Sequence, residues 1–156
     1  MNVGARVGTK CDVGTLVELC RASREALVAE RGGGAYVLKD AFAEPLEARL
    51  EAIINDDRWL VLLGTLDDVT VGVALARLDE MSDSSCSATV EVLYVDPPAR
   101  EVGVGEKLLG TVIDWSARRG ATGLDVHVLP GMRASKNFLE GSGFVARLLV
   151  MHRELR

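Results

Sequence analysis

The stretch PPAREVGVGEKLL joins a cationic side chain to two closely spaced glycines, directly before a helical pattern. Arg100, Gly103 and Gly105 form the pattern Arg-x-x-Gly-x-Gly. The free N–H groups and the dipole at the start of a helix favour an anion. Glycines let the backbone approach that anion closely, because they carry no Cβ. The pattern predicts a pyrophosphate cradle. The alternative is a helix start at which glycines only ease a tight turn.

Two other phosphate-binding motifs fit this stretch poorly. A P-loop requires Ser or Thr after its lysine, whereas Lys107 is followed by Leu108. A Rossmann fingerprint requires a third glycine, at the position of Leu108, and must follow a strand directly. Here seven residues separate Val95 from Gly103. A nucleotide-dependent oxidoreductase is therefore only a minor alternative.

Two side chains in apolar segments are candidates for accepting a proton. Glu91 stands alone between valines in VEVLYV, where a charge is costly. It is either a base or a solvent-facing residue of a half-exposed strand. The second candidate is His127 in GLDVHVL, because histidine is the side chain most often suited to act as a base near neutral pH; the alternative is an exposed or satisfied strand histidine. Strand alternation predicts that Glu91, Leu93 and Val95 share one face and Tyr94 the other.

The hydrophobic periodicity places these residues on an alternating series of strands and helices. A strand at 2–8 precedes a helix that Asp12 caps and that ends before a mobile loop starting at RGGG. A second helix starts near Pro45. Three strands, within 59–66, 70–78 and 88–95, then form an antiparallel meander. The remaining predicted elements are a helix to Arg119 with a buried stripe of Leu108, Leu109, Val112, Ile113 and Ala117, a strand at 123–129, a helix at 133–141 and a final strand in FVARLLVMHREL. The order is β-α-α-β-β-β-α-β-α-β, with a right-handed parallel crossover around the third helix.

Composition indicates one folded domain over residues 1–156. The chain has 156 residues, of which 48% are hydrophobic and 26% charged. A net charge of −5 argues against a nucleic-acid partner. The three cysteines show no CxxC and no nearby histidine, so we expect neither a disulfide framework nor a metal. The longest strongly apolar run, WLVLL, is too short to span a membrane, and we expect a cytoplasmic protein without a membrane partner.

Several segments together resemble one family. VEVLYVDPPAREVGVGEKLL, followed by GLDVHVL and NFLEGSGF, closely resembles the GCN5-related N-acetyltransferase (GNAT) superfamily. The specific part of the resemblance is residues 90–144, and the element order extends it over the whole chain. The resemblance implies an α/β (α+β) fold: a mixed central sheet of about six to seven strands flanked by about four helices.

The resemblance also implies a co-substrate and a reaction. The co-substrate would be acetyl-CoA or another acyl-CoA, and the acyl group would pass directly to an amine in a ternary complex. Strands 88–95 and 123–129 would splay around the thioester, and an N–H near Val95 would polarise its carbonyl. Glu91 and His127 would be the candidate bases. The implied cofactor-binding residues are Leu93, Tyr94, Val95, Arg100, Glu101, Val102, Gly103, Val104, Gly105 and Glu106.

One position departs from the family pattern. Many relatives carry Tyr four residues before the Gly of Gly-Phe, and this position is Leu139 here. Tyr94 is a conceivable substitute as proton donor, or water serves instead. We therefore keep two hypotheses: an active N-acetyltransferase, and a CoA-binding sensor or interaction module that has lost the chemistry.

The acceptor is not identified by any motif. In such folds the first two helices and their loop select it, here about 30–45, where Tyr36 and Phe42 are either substrate contacts or core residues. The acidic chain favours a cationic amine, such as a polyamine, an aminoglycoside or a peptide amine. Dimerisation is common in the family, so a homodimer stays open.

Overall fold

The computed structural model describes the whole chain, from Met1 to Arg156. Five strands form one sheet, and five α-helices accompany it. The strands are β1 (Val3–Val7), β2 (Trp59–Leu66), β3 (Val69–Glu80), β4 (Cys86–Val95) and β5 (Ala121–Val126). The helices are α1 (Val13–Val28), α2 (Gly33–Lys39), α3 (Leu46–Ile54), α4 (Val104–Arg118) and α5 (Arg133–Gly141).

The strands lie in the sheet in the order of the sequence. β1 to β4 are antiparallel neighbours, and β5 is parallel to β4 after the crossover through α4. The predicted meander and parallel crossover are therefore confirmed. β2 and β3 are joined by Asp67 and Asp68, whose φ angles of 48° and 66° match the left-handed turn that a two-residue hairpin favours.

The sheet is covered on both faces, and each face has its own core. α1 and α3 pack on one face, over a cluster that includes Leu16, Leu50 and Leu75. α4 covers the other face with Val104, Leu108 and Val112. A Cβ on Gly64 of β2 would lie only 2.7 Å from Val104 Cγ1 and 3.0 Å from Leu108 Cδ1, so the first turns of α4 lie directly on the sheet. This close packing fixes the helix start that follows the glycine loop.

The strand and helix counts differ from the prediction at two places. The predicted final strand in FVARLLVMHREL does not form, so the sheet has five strands rather than six or seven. Its residues have strand-like composition but pair with no strand of this chain. The predicted mobile loop after α1 is instead α2, which raises the number of α-helices to five. Gly32, with φ 79°, turns the chain. Only glycine fits at position 33, because a Cβ there would lie 1.6 Å from the Leu27 carbonyl oxygen.

The buried stripe of α4 is confirmed at three of its predicted positions. Leu108, Leu109 and Val112 are buried, whereas Ile113 and Ala117 are exposed and Ser116 is buried in their place. No helix combines the length and the apolar composition that crossing a bilayer requires.

Candidate functional site

β4 and β5 separate halfway along β4. Their ladder pairs Thr89 with Asp125 and Val90 with Val126, and it ends there. β5 stops at Val126, while β4 continues to Val95. The β5-facing side of residues 91–95 therefore has no strand partner in this chain. Such a half-paired strand can receive an extended molecule through its backbone groups.

The loop that follows β4 presents a row of free backbone donors. None of the N–H groups from Glu101 to Glu106 donates to an acceptor in the protein. Glu101 and Gly103 have φ angles of 67° and 101°, in the left-handed region. The loop therefore remains non-helical up to Val104, where α4 begins. Free donors at a helix start attract an anion, which is the geometry predicted for a pyrophosphate cradle.

Two residues flank this loop in ways that the sequence did not reveal. Arg100 donates from Nε to the Val95 carbonyl oxygen at 2.8 Å, and its guanidinium lies 5.5 Å from the centre of the Tyr94 ring. A Cβ on Gly105 would lie 3.8 Å from the Phe138 ring and 3.9 Å from Val95. Gly105 therefore faces the space between the end of β4 and α5. No motif spacing in the sequence pointed to Phe138, because its position opposite the loop depends on how α5 packs.

A β-bulge changes the face on which Glu91 lies. β3 pairs Leu75 with Val92 and then Ala76 with Val90, so Glu91 is an extra residue on β4. Simple alternation predicted Glu91 on the face of Leu93 and Val95, and this is wrong. Leu93 and Val95 pack on the α4 side, whereas Glu91 reaches Arg77 on the opposite face.

Glu91 is held by a cation from the neighbouring strand. Its carboxylate lies 2.9 Å from Arg77 Nη1, and its side chain is only 12% exposed. Arg77 also lies 3.3 Å from the carboxylate of Asp79, which accepts a hydrogen bond from the Thr89 hydroxyl at 2.7 Å. No pattern in the sequence points to Arg77, because only the register of β3 against the bulge brings it to Glu91.

Tyr36 of α2 and His127, just after β5, form the other part of the site. The tyrosine hydroxyl lies 3.2 Å from His127 Nδ1, and the two rings meet edge to face. Burial, with a smaller contribution from the charges of Glu91 and Asp40, raises the pKa of Tyr36 to about 12. The hydroxyl therefore stays protonated at neutral pH.

Asp125, which precedes His127 by two residues on β5, is bound by Arg147 instead of by His127. Its carboxylate binds the Arg147 guanidinium, which holds the pKa of Asp125 below its usual range. His127 itself lies just past the end of β5 rather than within the predicted strand 123–129. The strand ends at Val126 because its pairing with β4 stops at Val90.

Three further predicted positions have clear places. Leu139 is 6% exposed and carries no titratable group, so it supplies no proton. Phe42 is a core residue, stacked edge to face on Trp59. Tyr94 packs against the α1 and α3 core and lies on the same face of the sheet as Glu91.

The arrangement brings together an anion cradle, a half-paired strand and two potential proton acceptors. Glu91 and His127 lie on the α2 side of the opening between β4 and β5. His127 contacts the Tyr36 hydroxyl, and the charge of Glu91 contributes to the raised pKa of Tyr36. No group of three or more His, Cys, Asp or Glu side chains is arranged to hold a metal ion. Free backbone donors beside two proton acceptors form an arrangement that can support acyl transfer.

Comparison with known proteins agrees with this geometry. A family model described as the acetyltransferase (GNAT) family matches residues 24–144. No curated protein matches the chain in sequence.

Solved structures share the fold over nearly the full chain. A mutant protein from Bacillus halodurans has 18% identity and a TM-score of 0.82, with 100% of both chains covered. AAC(6')-Iy, in complex with the bisubstrate analog CoA-S-monomethyl-acetylneamine, has 22% identity and a TM-score of 0.74, covering 100% of this chain and 99% of that one. An aminoglycoside acetyltransferase from an uncultured soil metagenomic sample, in complex with trehalose, has 19% identity and a TM-score of 0.73, covering 99% and 95%.

Proposed function

Since the chain belongs to the acetyltransferase (GNAT) family, we propose that it is an N-acetyltransferase that moves the acetyl group of acetyl-CoA directly to an amine. The observation that carries the proposal is the run of unpaired N–H groups from Glu101 to Glu106, beside the open edge of β4. These donors fit a pyrophosphate, and the open edge fits the extended amide arm of CoA.

The residues of the loop and of β4 would hold the co-substrate. The N–H groups of Glu101, Val102, Gly103, Val104, Gly105 and Glu106 would bind the pyrophosphate, with Arg100 beside them. The backbone of Leu93, Tyr94 and Val95 would pair with the pantetheine arm. An N–H near Val95 would then polarise the thioester carbonyl. Acetyl-CoA supplies the acetyl thioester when it is bound.

The proton acceptors lie on the α2 side, where the amine would enter. The amine nitrogen forms a bond to the carbonyl carbon, the carbon–sulfur bond breaks, and CoA leaves as a thiolate. The proton that the amine loses passes to Glu91 or to His127. His127 can accept it at Nε2 in the tautomer whose Nδ1–H donates to the Tyr36 oxygen. A proton for the thiolate comes from Tyr94 or from water.

The charge around this entrance favours a cationic acceptor. Glu91 and Asp40 lie close enough to Tyr36 for their charges to contribute to its raised pKa. Two of the similar structures are named for aminoglycoside chemistry or hold an acetylated neamine analog. We therefore favour a small polycationic amine, an aminoglycoside or a polyamine, over a neutral one.

Binding and turnover test the proposal separately. Calorimetric titration with acetyl-CoA should show one site per chain. CoA release, followed with a thiol reagent over a panel of polyamines, aminoglycosides and peptide amines, should then identify an acceptor. Glu91→Gln and His127→Ala should each leave acetyl-CoA binding unchanged, and at least one should lower kcat by about 100-fold or more. The absence of acetyl-CoA binding would reject the proposal.

A second function is favoured by one observation. Leu139 is buried and apolar at the position where many relatives carry a tyrosine. A CoA-binding module without turnover is the function that this substitution supports. Tight acetyl-CoA binding without thiol release on any acceptor would establish it in place of the enzyme.

A further inference from the structure

Glu91 is a largely buried carboxylate whose hydrogen-bonding capacity the protein does not use. Its ionic partner is Arg77, whose Nη1 lies 2.9 Å away. That nitrogen is buried and makes no hydrogen bond, so the contact is ionic but lacks the alignment of a hydrogen bond. No hydrogen bond of the protein reaches the Glu91 oxygens. A carboxylate withdrawn from water in this way gains from a further donor.

The charges around Glu91 do not cancel. Arg77 is shared between two carboxylates, since its Nε also lies 3.3 Å from one oxygen of Asp79. Thr89 donates to the other Asp79 oxygen at 2.7 Å, which holds Asp79 in place beside Arg77. One cation between two anions leaves one negative charge over. Asp79 therefore keeps Arg77 from neutralising Glu91 completely.

Glu91 and His127 are neighbours at the point where β4 and β5 separate. The last pair of the ladder is Val90 with Val126, and each of the two residues follows one member of that pair. The pKa of Tyr36 is raised to about 12 by burial and, secondarily, by the charge of Glu91, and the Tyr36 hydroxyl lies 3.2 Å from His127 Nδ1. One small cationic group can therefore approach both side chains.

The two side chains differ in what a proton does to them. A proton on Glu91 would remove one half of its ion pair with Arg77 in a largely buried place, which is costly. His127 is exposed, and its Nε2 is free to accept a proton while Nδ1 faces Tyr36. The imidazolium that results lies within electrostatic reach of the Asp125 carboxylate. The geometry thus favours Glu91 as a lasting anion and His127 as the proton acceptor.

We propose that Glu91 selects the acceptor by binding its ammonium group, and that His127 takes the proton when this group reacts. The inference rests on the acetyl transfer proposed above and decides between its two candidate bases. The ammonium group donates to Glu91, and one of its protons passes to Nε2 of His127. The neutral nitrogen then forms a bond to the carbonyl carbon, and its second proton goes to water. The carbon–sulfur bond breaks, and its electron pair leaves with CoA as a thiolate. Asp79 and Thr89 act through Arg77 as positioning residues.

Binding of spermidine, a linear polyamine, to the CoA-saturated protein tests the role of Glu91 without turnover. Calorimetry should show one spermidine per chain. Glu91→Gln should weaken spermidine binding by about tenfold or more, since a charge-assisted hydrogen bond is lost, and should leave the affinity for CoA unchanged. Equal spermidine affinity of the two proteins, or no spermidine binding at all, overturns the proposal. The absence of CoA binding would instead reject the proposed function.

Substitutions at the positioning residues test the sharing of charge. Asp79→Asn should weaken spermidine binding by about threefold or more, because Arg77 then neutralises Glu91 alone. Thr89→Val should act in the same direction, whereas Thr89→Ser, which keeps the donor, should retain the wild-type affinity. Glu80→Gln is the matched control, since it removes the same charge from the exposed next residue of β3. Equal losses in Asp79→Asn and Glu80→Gln would overturn the role of Asp79.

Chemical rescue separates the proton acceptor from the binding residue. Free imidazole should restore part of the thiol release of His127→Ala at saturating spermidine and acetyl-CoA, because it can take the proton in place of the missing ring. It should not restore Glu91→Gln. Full turnover by His127→Ala without imidazole would show that Glu91 or water is the base, and the proposal would be wrong. A wild-type protein that binds spermidine but releases no thiol from acetyl-CoA would reject the acetyl transfer itself.

Discussion

The hydroxyl of Tyr36 lies 3.2 Å from Nδ1 of His127, across 91 residues of sequence. The contact joins α2, which the sequence did not predict, to the residue that follows β5. Tyr36 stays neutral because burial raises its pKa to about 12. Tyr36 therefore keeps its hydroxyl proton, and can bond the histidine ring, over the pH range of an ordinary activity assay.

Tyr36→Phe should lower kcat by about tenfold and leave the affinity for acetyl-CoA unchanged, since one positioning hydrogen bond is lost. kcat is measured by thiol release at saturating acetyl-CoA, and the affinity for acetyl-CoA by calorimetry. In a His127→Ala background the same change should have no further effect. A full tenfold loss in that background would contradict the role assigned to the pair.

Arg77→Met should reduce both activity and stability. In the native protein the largely buried Glu91 carboxylate lies 2.9 Å from Arg77 Nη1, and the substitution removes this cation. We expect the free energy of unfolding to fall by about 1–3 kcal/mol, from chemical denaturation, and kcat to fall with it. Arg77→Met combined with Glu91→Gln should recover stability but not kcat. Recovery of both would show that Arg77 and Glu91 serve the fold alone.

The bulge at Glu91 shows where sequence reasoning reaches its limit. Alternation along VEVLYV is a local rule, and it correctly gave the strand. The extra residue arises from the register of β3 against β4, with Val90 and Val92 opposite adjacent residues. No property of β4 alone fixes that register. The glycine loop was different: Gly103 and the helix start are determined by local backbone chemistry, and the free N–H groups lie where they were predicted.

The segment after α5 illustrates a second limit. Its apolar content predicted a final strand, and this is wrong, because residues 145–156 pair with no strand of this chain. Within one chain Leu149 and Met151 remain exposed. Composition indicates the propensity of a segment to form a strand, whereas pairing depends on where the fold places that segment.

Asp12→Asn should make the protein less stable at neutral pH and remove part of its acid sensitivity. The Asp12 carboxylate accepts hydrogen bonds from Arg6 at 2.8 and 2.9 Å and from the Thr9 N–H at 2.8 Å, and these hold its pKa well below the usual range. Its stabilisation is therefore fully present above the unfolded pKa of about 4 and is lost as the pH falls toward the folded pKa.

We expect a loss of about 1 kcal/mol at neutral pH, reduced by solvent around the half-exposed arginine, and a Tm lower by about 2–4 °C. Thermal melts of the two proteins should converge as the pH falls below about 4. Asp114→Asn, an exposed carboxylate of α4 without an ion-pair partner, serves as the control. A constant difference in Tm down to strongly acid pH would show that the charge of Asp12 is not responsible.

Gly105→Val should weaken acetyl-CoA binding by tenfold or more while leaving the fold intact. A Cβ at Gly105 meets only Phe138 and Val95, at ordinary contact distances of 3.8 and 3.9 Å, so the protein itself accommodates the side chain. The branched chain would occupy the space between the end of β4 and α5, next to the loop that carries the free donors. Gly103 is a poorer site for this test, because its φ of 101° strains any other residue.

Gly110→Val is the matched control, since it lies in the same helix and a Cβ there meets nothing within 4 Å. Calorimetry should show weakened binding for the Gly105 variant alone, and thermal melts should show both variants folded, each gaining slightly from the loss of a helical glycine. Equal affinity of the two variants for acetyl-CoA would mean that the anion does not sit on the donors at the start of α4.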